Sequence, residues 1–452
     1  MEEALAAEGD ADAAPPLEGE ADADVAVVGG GFTGLWTALA LRERVPDARV
    51  VVLEAEICGA GPSGRNGGFV HGFFSTLGSL CAAVGDEGAL TTARAASGIL
   101  PAIRALGTDV WLRESGMLEV SAAPAQDAAI DEAVERARRL GVPEQVVPLS
   151  REEVAARVRS PVFRRGAFFP EGGTVHPGRL VRALRRAALD AGVTVHEGTR
   201  VLDVGPGLLR TERGRVRAGE IVVATNAWMT GWRPVSGRLT NFGSYVVLTE
   251  PVPELLEEIG WTGGEPIVDG RMFIHYSRTT NDGRVLMGSG SGPIGYGGRI
   301  DDRFTRDRAT AGRAEAGLRR LLPGLAGARV ERAWGGPIDV SSDHLPFFGT
   351  VPGARIHYGA GYSGNGVGPS WVGGQILASL AAGRDDEWTR LPLTTRRVPR
   401  LPPEPFRRLG GGLVRAAIMA CEDAEEQGRR PPLAARAGAA LPRLLRMQIG
   451  TR

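Results

Sequence analysis

Glycines at 29, 31 and 34 are spaced to bring a backbone against a phosphate, and Glu54 stands where a carboxylate can accept hydrogen bonds from a ribose diol. They belong to Val25-Ala-Val-Val-Gly-Gly-Gly-Phe-Thr-Gly34, an apolar run that turns on glycines into a helical pattern and closes on Arg49-Val-Val-Val-Leu-Glu54. Gly29 permits the tight turn, Gly31 lets the backbone approach a pyrophosphate, and Gly34 lets helix and strand pack closely. The helix N-terminus, with Phe32 and Thr33 in its first turn, then faces the phosphates. Glu54 would repel a 2′-phosphate, which disfavours NADP. Three glycines alone fit an ordinary βαβ turn. Strand, glycines, helix, strand and acid in that order predict a dinucleotide site.

The next stretch, Cys58-Gly-Ala-Gly-Pro-Ser-Gly-Arg-Asn-Gly-Gly68, is a second flexible loop where a nicotinamide-binding fold would begin its crossover helix. Glu54-Ala-Glu56 followed by Ser63-Gly-Arg-Asn-Gly-Gly68 resembles the D-amino-acid oxidase superfamily of FAD-dependent oxidoreductases. The likeness is strongest to its amine-oxidising branch, similar to gamma-glutamylputrescine oxidoreductase. Val222-Val-Ala-Thr-Asn-Ala-Trp228, Trp334-Gly-Gly-Pro-Ile-Asp-Val-Ser-Ser-Asp-His-Leu-Pro346 and Gly359-Ala-Gly-Tyr-Ser-Gly-Asn-Gly366 fit that branch too, so the resemblance covers residues 24–385. It implies FAD contacts at Gly29, Gly31, Phe32, Thr33, Gly34, Glu54 and Ala55, then at Ser63, Gly64, Arg65, Asn66 and Gly67. Further contacts are implied at Val201, Thr225, Gly361, Tyr362, Gly364, Asn365 and Gly366. Thr225 and Asn226 are equally readable as caps of a turn. Glycines 361–366 lead into an apolar helical pattern, which would place a positive helix end near the flavin, where reduction leaves negative charge.

Departures from the superfamily narrow the chemistry. Glycine and D-amino-acid oxidases hold a substrate carboxylate with an arginine just ahead of their Asp-x-x-Pro motif, and that place is Ile338 here. The sarcosine-oxidase lysine falls at Gly368, Asn365 replaces the neighbouring histidine, and the covalent-flavin cysteine falls at Gly336, so the FAD is expected to be noncovalent. Oxidation of a primary or secondary amine to an imine, followed by hydrolysis, needs a neutral nitrogen and a dry cage rather than an acid–base pair. Phe69, Phe73, Trp232, Tyr245, Tyr276 and Trp334 are candidates for that cage, each also readable as core packing. Tyr276 and Arg278 alternate onto one face of a strand before the Asn281-Asp-Gly283 turn, at places similar to the branch. Arg278 is either a substrate-carboxylate ligand or a structural ion-pair residue, and His71 either faces the reacting centre or is simply hydrogen-bonded. Two alternatives stand beside amine oxidation: FAD-dependent oxidation of an amino acid or 2-hydroxy acid, and noncatalytic flavin binding.

Composition bounds the partners. Lys plus Arg and Asp plus Glu are both 53, giving zero net charge and no electrostatic reason for nucleic acid or an anionic membrane. A small amine partner suits this balance. The chain contains no lysine, so no Schiff-base lysine or lysine ammonium takes part in its chemistry. Cys58, Cys81 and Cys421 have neither disulfide-framework nor metal-ligand spacing, and no metal site is expected. No run of 18 apolar residues and no signal-peptide pattern occur, so a cytoplasmic location is expected.

The elements that must position these residues predict an α/β protein. A discontinuous Rossmann-like FAD-binding domain (24–107, 160–236 and 330–385) would carry an α+β substrate domain with an antiparallel sheet (108–159 and 237–329). Residues 1–23 read as a disordered acidic tail and 386–452 as a C-terminal extension, with an extended Pro-rich linker before a helix at 413–427.

Overall fold

The computed structural model describes residues 1, 4–6 and 14–444. At its centre the strand Gly19–Val28 runs parallel to Val50–Leu53 on one side and Gly214–Val223 on the other, with Val25 opposite Val50 and Val28 opposite Val223. Thr194–His196 extends the sheet beyond Val50–Leu53; Ile356–Ala360 and Phe347–Thr350 extend it beyond Gly214–Val223. The central strands are apolar at consecutive positions because helices cover them, as parallel sheets require. Three of these helices are α1 (Phe32–Arg44), α2 (Pro177–Asp190) and a later helix, Pro369–Ala381. Leu35, Leu41, Leu180, Leu184, Ile376 and Leu377 join Val27 and Val52 in one core.

The second sheet has eight strands, in the order Val330–Ser341, Leu239–Thr249, Val285–Ser289, His275–Thr279, Ile267–Asp269, Met117–Val120, Gly166–Phe169 and Val147–Leu149. All neighbours are antiparallel except Ile267–Asp269 with Met117–Val120. One face packs on α3 (Arg308–Leu321), where Ala314, Leu318 and Leu321 meet Val247, Met287 and Trp261. The other face presents the alternate residues Phe242, Ser244 and Val246 to a cavity, the period-2 division of a half-buried sheet. The helix Pro369–Ala381 (α4) then returns to the first sheet, and α5 (Phe406–Glu426) and α6 (Leu433–Leu444) close the described chain.

Several elements differ from the sequence reading. The first strand starts at Gly19, inside the stretch read as a disordered tail. Its Glu20 faces Arg215 and Arg217 of the neighbouring strand, and just ahead of the two strands Glu18 pairs with Arg213. Ala14 N donates to Glu197 Oε2 (3.0 Å) and Leu17 N to Thr199 Oγ1 (2.9 Å), tying the preceding residues down as well. Residues 2–3 and 7–13 of that tail, and 445–452 of the extension, lie outside the described residues. Gly166–Phe169 and Val330–Ser341 pair within the second sheet rather than the first, because their backbones find ladders there. The strand Met117–Val120 starts only after Trp111 and Gly116, which both take positive φ (57° and 71°). Leu208–Thr211 lies between Val201–Gly205 and Gly214–Val223 and pairs with both strands. Part of the expected linker is a short helix, Pro392–Thr395, and α5 begins at Phe406 rather than 413. Among the described residues no helix is long and apolar enough to cross a membrane.

Candidate cofactor and substrate site

The turn after the first strand opens on a cavity of about 620 Å³ lined by Gly29, Gly31, Phe32, Thr33, Glu54, Ala55, Ser63, Arg65 and Asn66. Val201, Thr225, Tyr362, Gly364 and Gly366 line it too. The three glycines have separate reasons. Gly29 sits at φ +110°, where a Cβ would also meet Ala224 O at 2.6 Å. A Cβ on Gly34 would lie 1.9 Å from Gly29 O, so helix and turn touch backbone to backbone. One on Gly31 would lie 2.8 Å from Ser63 Oγ, which accepts a hydrogen bond from Phe32 N (3.0 Å) and so fastens the second loop to the start of α1.

Glu54 accepts from Gly30 N (2.8 Å) and Glu56 N (3.0 Å), while burial pushes its carboxyl above the usual range. Asn66 shapes the 62–68 loop: its Nδ2 donates to Pro62 O and Ser63 O, and its Oδ1 accepts from Gly68 N at 2.7 Å. Beneath it, buried Glu197 accepts from Arg182 (3.2 Å), Arg185 (3.1 Å) and Cys58 N (2.7 Å). The Cys58 thiol is pushed well up, first by burial, which makes it an unreactive packing group. Gly34, Gly64 and Gly361 do not line this cavity or the one beside it. Gly64 packs against Gly59 O, and Gly361, at φ +82°, packs against Phe347.

The 361–366 loop is clamped by Asp339, a residue that sequence reasoning quoted without assigning a role. Its Oδ2 accepts from Gly361 N (2.5 Å) and its Oδ1 from Asn226 Nδ2 (2.8 Å), and burial pushes its carboxyl up to about 6. The only sequence signal was its place in an apolar strand, where an acid must be hydrogen-bonded. Thr33 Oγ1 donates to Tyr362 Oη (2.9 Å), joining the two glycine-rich loops. The N-terminal end of α4 lies at this wall, with Val367 and Ser370 lining the cavity. Trp228 and Thr199 also line it and were not singled out beforehand.

A second cavity, about 370 Å³, shares Arg65, Asn66, Ile338, Gly364 and Val367 with the first. Gly67, Phe69, His71, Phe242, Tyr276, His344 and Asn365 also line it. Tyr276 is fitted between glycines, since a Cβ on Gly288 or Gly67 would strike its ring at 2.0 and 2.9 Å. Phe69 meets it edge-on, with centroids 5.5 Å apart, and its hydroxyl bonds Ser244 Oγ at 2.8 Å. Burial pushes the phenol up to about 12. His71 Nδ1 lies 3.0 Å from Gly72 O and 3.3 Å from Ser75 Oγ, and burial pushes the imidazole below its usual value. His344 is pushed down by the same cause.

Arg278 shares the strand face of Tyr276 but does not line this cavity. Its Nε donates to Gly67 O (2.5 Å) and its Nη1 to Thr279 O (3.2 Å), under the loop carrying Asn66, and burial pulls the guanidinium down to about 10. Neither of its sequence readings, substrate ligand or ion pair, matches that position. Replacing Arg278 with alanine is expected to leave Gly67 O without its donor, lowering stability by ~2–4 kcal/mol and loosening FAD retention, with little change in substrate KM. Thermal unfolding and FAD titration check this; a large KM increase with normal FAD content contradicts it.

Of the remaining cage candidates, Trp232 lines the first cavity and Phe73 lies in the hydrophobic core. Tyr245 is buried with its hydroxyl on Arg303 O, and Trp334 Nε1 donates to Arg65 O at 2.9 Å.

Two cavities adjoin, one of them framed by the phosphate-approaching glycines and an acid, which suits a dinucleotide beside a small substrate. The model of the FAD dependent oxidoreductase family, DAO, matches residues 24–380. The chain belongs to this family. It is 30% identical to the gamma-glutamylputrescine oxidoreductase of Escherichia coli (strain K12) over 386 residues, covering 82% of this chain and 86% of that protein. It is 26% identical to a probable oxidoreductase, OrdL, of Haemophilus influenzae, over 82% of this chain and 86% of the relative. Among solved structures, glycine oxidase from Geobacillus kaustophilus aligns with a TM-score of 0.68 at 22% identity, covering 83% of this chain and 98% of that one. This DAO protein is therefore an FAD-dependent oxidoreductase, and its residues fit the cofactor. Gly29, Gly31 and Phe32 would hold the pyrophosphate, Glu54 the ribose, and the wall shared by the two cavities the redox ring.

Proposed function

We propose that the protein oxidises a C–N bond of a small primary or secondary amine to an imine, which water then hydrolyses to carbonyl and amine. The observation that carries this reading is the chemistry of the shared wall. Ile338 occupies it, with Phe69, Phe242 and Tyr276 beside it, and both nearby histidines are pushed toward neutrality by burial. Bound FAD supplies the two-electron acceptor. The chain supplies position and dryness. The apolar side chains of Ile338, Phe69 and Phe242 and the charge of Arg65 disfavour an ammonium and lower its pKa, so the amine enters neutral and leaves its proton to solvent. With Nδ1 of His71 donating to Gly72 O, Nε2 is left as a hydrogen-bond acceptor for the neutral amine. Tyr276, held protonated well above neutral pH, orients the substrate and is no base at pH 7.

The amino-acid reading has one observation in its favour. Arg65 lines both cavities, and no ion pair engages its guanidinium among the described residues, so it could hold a carboxylate. Anaerobic mixing with polyamines, amino acids and 2-hydroxy acids separates the readings by which class bleaches the flavin. Amines lacking an α-carboxylate are expected to reduce it ~10–100-fold faster, as a second-order rate constant, than glycine, sarcosine or D-alanine. The reverse order, abolished by Arg65→Met, would establish the amino-acid reading instead.

A further inference from the structure

The family match stops at residue 380, so α5 lies beyond it, yet α5 holds two loops of the substrate cavity. The first loop is 271–273, whose residues Arg271, Met272 and Phe273 line the cavity. Glu422 of α5 accepts a hydrogen bond from Met272 N, and its carboxylate lies 3.6 Å from Arg271 Nε. Asp423 also pairs with Arg271, and Glu426 pairs with Arg271 (3.2 Å) and with Arg320 of α3 (3.0 Å). Arg320 reaches Asp269 (3.3 Å), which holds buried His275 at 2.9 Å. The second loop is 290–291. Arg415 of α5 donates to Ser291 O, which also accepts from Arg313 of α3 (2.9 Å), while Gly290 beside it lines the cavity.

We propose that α5 braces the outer wall of the substrate cavity from behind and that Glu422 is a positioning residue that helps select the far end of the substrate. The inference rests on the amine reading above. Glu422 acts through Met272 and Arg271, not on the reacting atoms. The charge balance gives the direction of selection. Three carboxylates of α5, of Glu422, Asp423 and Glu426, engage the guanidinium of Arg271, which lines the cavity. That engagement leaves the guanidinium less free to hold an anionic group. It favours a tail that is neutral or cationic over one that is anionic, and selectivity is the difference between those affinities. Glu422→Ala removes one carboxylate and the acceptor of Met272 N–H. Glu422→Gln removes the charge alone.

The test uses full-length, FAD-loaded protein and three amines of equal length that differ at the far end: 1,4-diaminobutane, 4-aminobutanol and 4-aminobutanoate. Anaerobic rapid mixing gives a substrate Kd and a limiting rate of flavin reduction for each. For Glu422→Ala the expected result is a Kd for 1,4-diaminobutane raised ~10-fold and a 4-aminobutanoate to 1,4-diaminobutane preference shifted ~10-fold toward the carboxylate. Limiting rates and FAD content should stay within ~2-fold of wild type. Glu422→Gln should shift the preference similarly while restoring the Kd of 4-aminobutanol. A preference unchanged within twofold, or an equal loss for all three amines accompanied by loss of FAD, overturns the proposal. If Glu422→Ala does not fold, the preference of Glu422→Gln decides. If wild type is reduced by none of these amines but by another class, the amine reading falls. The same tail comparison within that class then decides Glu422 separately.

Discussion

Replacing Gly34 with alanine is expected to give a colourless protein. The added Cβ would sit 1.9 Å from Gly29 O, and the obstacle is backbone, not the end of a flexible side chain. Relief requires α1 to lift from the first strand or the turn at Gly29 to open, and either movement breaks the approach of Gly31 and Phe32 to a pyrophosphate. Overpacking alone costs roughly 1–3 kcal/mol, and the disrupted phosphate contacts add to it. FAD affinity should fall by about 1,000-fold, near 4 kcal/mol. Gly312→Ala, in α3, is the control: a Cβ there meets nothing within 4 Å and Gly312 lines neither cavity, so this variant should remain yellow. Flavin absorbance of the purified proteins and FAD titration give the answer. A Gly34→Ala protein that binds FAD within tenfold of wild type would contradict the close-packing argument.

The legibility of the chain follows from where the partners of each residue lie. Gly29, Gly34 and Glu54 could be read because their reasons are local: a turn, the helix after it and the end of the next strand. Asn66 was legible only by resemblance, since its work is to bond Pro62 O, Ser63 O and Gly68 N within one loop. Alternation placed Tyr276 and Arg278 on one face correctly. It could not say that the backbone of Gly67 would rise to meet Arg278, because that loop lies 211 residues away in sequence. The start of the first strand, residues 19–24, was hidden for a similar reason. Its alternating acids and alanines resemble a solvated tail until arginines 213, 215 and 217 are brought alongside by a parallel pairing that no local pattern announces. The C-terminal extension looked like an appendage because Glu422, Asp423 and Glu426 read as ordinary helix charges. Only the fold shows that they face Arg271.

Turnover with dioxygen is expected to be limited by flavin reoxidation rather than by amine oxidation. The cause is the absence of any lysine, which leaves no compact ammonium to stabilise the negative charge that dioxygen gains with its first electron. The structure narrows the substitutes. His71 and His344 line the substrate cavity, but burial pushes both imidazoles below their usual values, so neither is a dependable cation at neutral pH. His275 is turned away onto Asp269 and does not line the cavity. Arg271 is occupied by carboxylates of α5. Two arginines of the substrate cavity remain with no ion pair among the described residues: Arg136 lines that cavity alone, while Arg65 stands at the wall common to both cavities, where the redox ring would lie. A single charge about 4 Å from a forming anion contributes roughly 4 kcal/mol at an effective dielectric constant near 20, and partial exposure of Arg65 reduces that figure. Arg65→Met should therefore slow reoxidation by a further ~10–100-fold while changing the rate of reduction by the best amine by less than ~3-fold. Rapid mixing of the pre-reduced protein with dioxygen, beside anaerobic mixing of the oxidised protein with amine, measures the two rates separately. A dye or quinone acceptor should relieve the limit, since it does not depend on a small cation beside dioxygen. Reoxidation faster than reduction in the wild type, or an Arg65→Met variant that meets dioxygen at the wild-type rate, would mean that the charge comes from elsewhere in the site.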